Sequence, residues 1–465
     1  MTGRLAADHF IQQYAQTSDP EVPPDREEEV REAQRPYTNT HGEPLMNSPF
    51  TQAELEDALR TLNLRKSPGT DKITNEMLLH LGPKAKKKLI QLMNDSWRTG
   101  IVPQIWREAI MIPVHKKGKD KSKADSYRPI SLTSCMGKLM ERLINTRLSW
   151  HLEQKQHIGP EQAAFRQDRS TEDQVTYILQ EVEDAFQDKK HTLAVWIDLE
   201  KAFDKVWKNG LRLKLRQCGV AGCMFKWISQ YLRNRSSRVQ IKQHQSKVKI
   251  LKQGVPQGGV LSPTLFLVFM KDILHRLPKN VKGAIYADDL AIWCSEEYVS
   301  TANYRLKLAL AEIEAWTKTW LVKVNARKTT YTLFTLSPQP QKVHLQFGNE
   351  VLKEEDSPTY LGVTLDRRLT WKHQLQKNQT RAKIRMALMK KLAGTCWGAD
   401  QRVLKRLYVG RIRPVLEYGM TSTCTAAKSN AEKTNRLQNQ AMRIMTGAMR
   451  STPIAALETT TGLQI

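Results

Sequence analysis

Gly283-Ala284-Ile285-Tyr286-Ala287-Asp288-Asp289-Leu290-Ala291-Ile292-Trp293 sets two adjacent carboxylates between two apolar runs. The flanks read as short strands and the middle as the turn of a hairpin. Neighbouring carboxylates raise each other's pKa, and placing both there is costly unless a cation neutralises them. Hard oxygen ligands suit Mg²⁺, which takes one or two carboxylates and fills its remaining positions with water and substrate phosphates. An Asp pair in an ordinary hairpin turn is the alternative, and the four residues Tyr286–Asp289 leave both readings open.

The surroundings narrow the choice. A chain of 465 residues has room for roughly two to four domains or subdomains. Its net charge of +26 favours a polyanionic partner, nucleic acid ahead of an acidic membrane. No apolar run approaches the length of about 18 residues that a membrane span needs, so no membrane partner is expected. The start, Met1-Thr2-Gly3-Arg4, lacks the apolar core of a secretory signal. Cys135, Cys218, Cys223, Cys294, Cys396 and Cys424 are dispersed without CxxC pairs and read as reduced intracellular thiols, with no zinc knuckle. Walker A, HExxH and GxSxG sequences are absent.

Along the chain, residues 1–46 read as a short helix near Leu5–Tyr14 followed by a polar, acidic linker that includes Asp25-Arg26-Glu27-Glu28-Glu29 and the Pro-Tyr-Thr-Asn stretch. Thr51 and Glu54 predict a capping box, with Phe50 placed to staple onto Leu55, opening a helix over 52–62. Further helices are expected over 75–81 and 84–98, with Lys84, Lys86, Lys87 and Lys88 on a solvated face. Residues 109–115 predict a strand, and Lys116 to Lys123 a basic loop that returns the chain through Tyr127-Arg128-Pro129-Ile130-Ser131-Leu132. Amphipathic spacing of Leu139, Leu143, Ile144 and Leu148 predicts a helix over 137–151, and another spans 171–188. His191 to Ile197 reads as a buried strand ending on Asp198. Helices to Leu215 and over 224–232, a strand pair from Arg238 to Gly254, and an apolar helix over 264–274 opened by Pro263 follow. A long helix over 299–320 comes after the hairpin, and the part from Trp371 onward is helical and basic, through Lys377, Arg381, Lys383, Arg385, Lys390, Lys391 and Arg402 to Arg413. The end at Leu463-Gln464-Ile465 carries no capping signal and reads as that of a truncated or partial product.

Asp198 and the Asp288-Asp289 turn share a possible destination. If their strands are neighbours in one sheet, three carboxylates converge and can hold two Mg²⁺ ions about 3.5–4 Å apart, the arrangement for in-line phosphoryl displacement.

An ordered series of motifs resembles the reverse transcriptase of a non-LTR (LINE-type, jockey/CR1-like) retrotransposon. Ser67-Pro68-Gly69-Thr70-Asp71 resembles the segment before the fingers of these enzymes. Tyr127-Arg128-Pro129-Ile130-Ser131-Leu132 and Ala164-Phe165-Arg166-Gln167-Asp168-Arg169-Ser170-Thr171 resemble two fingers motifs. Asp198-Leu199-Glu200-Lys201-Ala202-Phe203-Asp204 is similar to motif A, Gly254 to Pro263 to motif B, and Tyr286-Ala287-Asp288-Asp289 to motif C. Asn325-Ala326-Arg327-Lys328-Thr329 and Tyr360-Leu361-Gly362-Val363 resemble motifs D and E.

The resemblance implies an α+β right-hand polymerase fold, with fingers, an antiparallel palm sheet and a helical thumb. Residues 1–46 would be an acidic N-terminal segment, 47–95 a helical extension of the fingers, 96–366 the reverse transcriptase domain and 367–465 the basic thumb. It implies Asp198, Asp288 and Asp289 as the catalytic acids, with Asp198, Asp288 and the Leu199 carbonyl on two Mg²⁺ ions, for which Mn²⁺ can substitute. Deoxynucleoside triphosphate would meet Arg128, a hairpin lysine (Lys117 foremost), Phe203, Gln257 and Lys328. Phe203 would exclude a 2′-hydroxyl by sterics, unless it is a core residue. Lys328 would serve the leaving pyrophosphate, unless it is a solvated charge. Pro256, Gly258, Tyr360, Leu361 and Gly362 would contact primer and template, and the small Ala287 would leave room beside the primer terminus.

The implied partners are an RNA template, a DNA primer or target and deoxynucleotides, in a cytoplasmic ribonucleoprotein and the nucleus. No endonuclease, ribonuclease H carboxylate set or Cys/His knuckle is recognisable, so an endonuclease is expected elsewhere in the full element. The rival readings are a group II intron-like reverse transcriptase with maturase function, against which Leu365-Asp366-Arg367-Arg368-Leu369-Thr370-Trp371 looks LINE-like, and a non-catalytic RNA-binding remnant of a transposon.

Overall fold

The computed structural model describes residues 3–18, 22–35, 42–339, 341–394, 397–420 and 428–463. Cys396, Cys424, the stretch 36–39 and the last two residues, 464–465, lie outside them. Strands that bear on the site are β1 (Glu108–His115), β2 (Tyr127–Thr133), β3 (His191–Asp198), β4 (Arg235–Ile241), β5 (His244–Gln245), β6 (Lys249–Leu251), β7 (Val281–Tyr286), β8 (Asp289–Glu296) and β9 (Thr330–Phe334). They are distributed over two compact units, one drawn from residues 1–165, 199–276 and 312–325, the other from 166–198, 277–311 and 326 onward.

In the first unit the basic loop works as expected. β1 turns back into antiparallel β2 with Ile110 opposite Leu132, and its other edge pairs in parallel with β4, Glu108 opposite Ser236. β5 and β6 extend this sheet from β4. Thr51 and Glu54 form the capping box, with Thr51 N donating to Glu54 Oε2 at 2.8 Å and Glu54 N to Thr51 Oγ1 at 3.3 Å. Phe50 packs against Trp97 at 4.9 Å between ring centroids, beneath the Arg147 guanidinium.

The expected acidic linker is partly wrong, because Pro24–Gln34 is a helix. Pro24 sits in its first turn with Asp25 and Glu27, the residue types that suit a helix N-terminus. Tertiary contacts supply the rest: Arg26 lies over the rings of Trp207 and Trp320, and Asn209 Nδ2 donates to Glu27 Oε2 at 2.8 Å.

The apolar helix after Pro263 spans Ser262–Met270 and stops short of Leu274. Its end is fixed by Lys214, whose Nζ donates to the Phe269 carbonyl and to Asp272 Oδ1. Lys214 is fully buried among Phe269, Trp316 and Trp320, and Trp316 Nε1 donates to the same Asp272 oxygen at 2.8 Å. Burial brings the Lys214 ammonium down to about 7, against the pull of Asp272.

The sheet of the second unit runs Lys353–Glu354, β9, β3, β8, β7. β3 is a continuous apolar run, as a strand covered on both faces requires, and it lies between β8 and β9 with antiparallel pairing to each. Ser170 and Asp173 cap the helix Thr171–Gln187. Its Val175, Ile178, Leu179 and Val182 join Ala194, Trp293, Phe334 and Tyr360 in one core. Helices Lys372–Leu392, Gln401–Leu407, Lys428–Thr446 and Ile454–Thr461 gather around a second core that includes Met386, Tyr408, Met442 and Leu457. Arg381, Lys383, Arg385, Lys390 and Lys391 are exposed on the first of these helices. Gly462, at φ 60°, caps the last helix, a signal that the reading of the C-terminus passed over.

Asp272→Ala is expected to cost about 3 kcal/mol at pH 7, because it strands the Lys214 ammonium and the Trp316 indole, whereas Lys214→Met should stay within about 1.5 kcal/mol of the parent. Urea unfolding of the two variants compares them directly.

Candidate active site

β7 and β8 are joined by the two-residue turn Ala287-Asp288, with Tyr286 opposite Asp289. Ala287 has φ 59°, a left-handed conformation that costs a side-chain-bearing residue about 1–2 kcal/mol. On the other edge of β8 an unbroken register from His191–Glu296 to Asp198–Asp289 sets the last residue of β3 across from the second aspartate. Asp198 and Asp289 are therefore cross-strand neighbours of like charge, which is destabilising without a counter-ion. Burial, then Asp288 and Asp198, push the Asp289 carboxyl up to about 6.

Lys328 stands nearby, its Nζ 3.6 Å from Asp198 Oδ1, but the two side chains are 60% and 40% exposed, so the pair contributes little stability. Asp198, Asp289, Lys328 and Tyr360-Leu361-Gly362 line one open cleft of about 570 Å³. Tyr360 is buried against Trp196 at 5.1 Å with no hydrogen-bond partner for its hydroxyl, and burial next to Asp289 raises its pKa. Leu361 and Gly362, at φ 46° and 88°, make the following turn, and the Leu361 carbonyl accepts from the Tyr418 hydroxyl at 2.5 Å.

Strand pairing sets Asp198 opposite Asp289, and Asp288 is the next residue in the turn, so that both act on the Asp289 carboxyl. Among the described residues no group of three or more His, Cys, Asp or Glu side chains is placed to hold a metal ion. The donor set is nonetheless hard oxygen throughout, and the raised Asp289 pKa marks a place that favours added positive charge, which fits a divalent cation of the Mg²⁺ type.

The remaining site residues belong to the first unit. Leu199 forms an isolated bridge with Val324. Phe203 is half-buried, stacked on Phe266 at 4.2 Å and edge-on to Phe165 at 6.4 Å, so packing fixes the ring while part of it stays accessible. Arg128 on β2 and Lys117 in the β1–β2 loop are exposed, whereas Lys116 is drawn inward, its Nζ donating to the Asp125 carbonyl at 2.9 Å.

The segment Gly254–Leu261, with Pro256, Gln257 and Gly258, is stitched to three elements. Gly254 N and Val255 N donate to the Val206 and Phe203 carbonyls, each at 2.9 Å, and Ser131 N donates to the Gln257 carbonyl at 2.8 Å. Val260 N and Leu261 N both donate to Glu141 Oε2, at 2.7 and 3.1 Å. Gly254 is at φ 84°, and a Cβ there would lie 2.6 Å from the Asp204 carbonyl oxygen; one on Gly259 would lie 3.0 Å from Glu141 Oε2.

Glu141 and Asp204 are the residues that the sequence reading left without a role. Glu141 is fully buried, which raises its pKa against the pull of Arg235 and of the loop amides. Its signal was available: it lies three residues before Ile144 and seven before Leu148, a charge on the apolar face of its helix.

The family profile described as reverse transcriptase (RNA-dependent DNA polymerase) matches residues 114–365, and the chain belongs to that family. An α+β polymerase fold is thereby borne out, as is the kinship with jockey-type elements. The chain is 35% identical over 407 residues to "Probable RNA-directed DNA polymerase from transposon BS" of Drosophila melanogaster, covering 86% of this chain and 45% of that protein. It is 30% identical over 407 residues to "RNA-directed DNA polymerase from mobile element jockey" of the same species, covering 86% of this chain and 44% of that one. A 28% match over 406 residues joins it to "Probable RNA-directed DNA polymerase from transposon X-element", over 86% of this chain and 44% of that protein. The chain thus spans less than half the length of these relatives. No helix of the described residues is long and apolar enough to cross a membrane.

Asp289 titrates higher in the folded protein than in the unfolded chain, so the folded state loses some stability as pH rises from about 4 through about 6, a small effect because the residue is exposed at the start of β8. Asp289→Asn is therefore expected to melt higher than the parent at pH 7.5 without divalent cation, with the gap closing at pH 4.5. Thermal denaturation at both pH values reads the difference.

Proposed function

We propose that this chain is the RNA-directed DNA polymerase portion of a jockey-type non-LTR retrotransposon. It extends a DNA 3′-hydroxyl on an RNA template at the site of insertion. The observation that carries the reading is the in-register placement of Asp198 opposite Asp289 at the end of β3, inside the span matched by the family. Substrates are deoxynucleoside triphosphates, an RNA template and a DNA primer or target. An endonuclease elsewhere in the element exposes the primer, and the product works in a cytoplasmic ribonucleoprotein and the nucleus.

Residues 96–366 form fingers and palm, 47–95 a helical extension of the fingers behind the acidic segment 1–46, and 367–465 a thumb. The thumb's exposed cations track the duplex backbone with salt-dependent affinity. Reverse transcriptases use divalent metal ions. Here Asp198, Asp288 and the Leu199 carbonyl would hold two Mg²⁺. When bound, the ions activate the primer hydroxyl and neutralise triphosphate charge.

The chain's own groups do the rest. Asp289 adds negative potential beside the primer end. Lys328, poised beside Asp198, supplies positive charge and a proton for the leaving pyrophosphate. Arg128 and Lys117 hold the triphosphate by charge-assisted contacts. Phe203, fixed by Phe266, closes the space that a 2′-hydroxyl would need. Pro256 and Gly258 meet the nascent pair, and Tyr360-Leu361-Gly362 supports the primer strand.

Extension of a DNA primer on RNA with deoxynucleotides and Mg²⁺ tests the proposal. Asp198→Asn and Asp288→Ala are each expected to lower kcat at least about a thousandfold, the scale of losing a transition-state contact of about 4 kcal/mol. Robust extension by Asp288→Ala would sink the mechanism, and RNA binding without incorporation at any Mg²⁺ or Mn²⁺ concentration would leave the non-catalytic reading. Phe203→Val is expected to admit ribonucleotides while leaving deoxynucleotide incorporation largely intact, measured as the ratio of kcat/KM for the two sugars.

A further inference from the structure

Asp204 is the second aspartate of the run that begins at Asp198, and both of its oxygens accept from Gln257 Nε2, each at 2.9 Å. An ionised carboxylate can only accept hydrogen bonds. It therefore decides which end of the Gln257 amide is turned inward: the NH₂ is held, and Oε1 is left to face away. The loop backbone has its own supports, since Val255 N is bound to the Phe203 carbonyl, the Gln257 carbonyl to Ser131 N, and Val260 N and Leu261 N to Glu141. The Asp204 carboxylate is thus redundant for the path of the loop and specific for the orientation of one side chain.

We propose that Asp204 is a positioning residue that clamps the Gln257 amide and so fixes the hydrogen-bonding edge offered to the incoming deoxynucleoside triphosphate. The inference rests on the reading of this chain as a polymerase in which Gln257 meets the nucleotide.

Asp204 borders a small cavity of about 40 Å³, together with Tyr14, Lys208, Arg235 and Gln257. Desolvation there outweighs the Gln257 hydrogen bonds and the attraction of Lys201 and Lys116, and brings the carboxyl up to about 6. Tyr14, from the helix Gly3–Thr17, is held in its neutral form by burial and by Asp204. Lys208 sits at about 7 because it is buried beside Arg235 and Arg212. Below about pH 6 a protonated Asp204 donates where it previously accepted, and the favoured partner becomes Gln257 Oε1, which turns the amide over. The clamp is complete above about pH 7 and lost as pH falls through about 6.

The experiment is steady-state extension of a DNA primer on an RNA template with a single varied deoxynucleotide, from pH 5.5 to 8. It compares the unaltered chain, Asp204→Asn, Gln257→Ala and the double variant. Asp204→Asn is expected to raise KM for the nucleotide about tenfold with kcat within about twofold, the scale of one charge-assisted hydrogen bond. On the Gln257→Ala background it should add nothing, because the clamp then has nothing to hold. KM of the unaltered chain should climb toward that of Asp204→Asn as pH falls, while the variant's KM stays flat. A pH effect on kcat common to all four proteins is read separately from KM. An unchanged KM in Asp204→Asn, or a further loss in the double variant as general destabilisation would give, overturns the clamp alone. Absence of extension by the unaltered chain overturns the polymerase reading and the clamp with it.

Discussion

Like charge at the end of β3 is the constraint on which the site depends. Strand register, once set by the apolar run His191–Ile197 against Leu290–Ser295, leaves Asp198 no position except opposite Asp289. The apolar core thus fixes an electrostatic conflict between two partly exposed side chains, and Ala287 adds a strained turn beside it. Such conflicts are maintained where the surrounding structure over-determines them, and they mark places built for a charged guest. Lys328 is too exposed to settle the conflict, so a cation brought from solution has something to gain there.

The first unit works by a different principle. Its loop Gly254–Leu261 buries Val255 and Leu261 and is held by hydrogen bonds to Phe203, Val206, Ser131 and Glu141. The anchors come from three stretches of chain, so the loop's shape depends on how those stretches pack. Lys214 extends this to the helix that follows: its ammonium caps the Phe269 carbonyl from within an aromatic cage. The glycines at 254 and 259 are what let those anchors come so close.

Much of this was legible in the sequence. β3, the β7–β8 hairpin and both capping boxes follow from local patterns, because apolar runs and Ser/Thr caps act over a few residues. The helix Pro24–Gln34 was not legible, since its polar sequence is held by Trp207 and Trp320, which are remote in the chain. The same holds for Asp204: its chemistry depends on Gln257, and no periodicity links the two positions. Register could be anticipated from the strands, whereas the side chains around Asp198 and Asp289, such as Lys328 and Tyr360, come from stretches that no local pattern connects.

The parallel pairing of β1 with β4 also bears on how the chain is made. At the ribosome, β1 and β2 emerge as a hairpin, but the other edge of β1 has no partner until residues 236–239 are added. At about 5–20 residues per second that edge stays open for several seconds, with Met111 and its neighbours uncovered. Non-local pairing of this kind is slow to form and open to intermolecular strand pairing meanwhile. Synthesis rate and nascent-chain protection therefore become determinants of how much folded protein a cell obtains from each message.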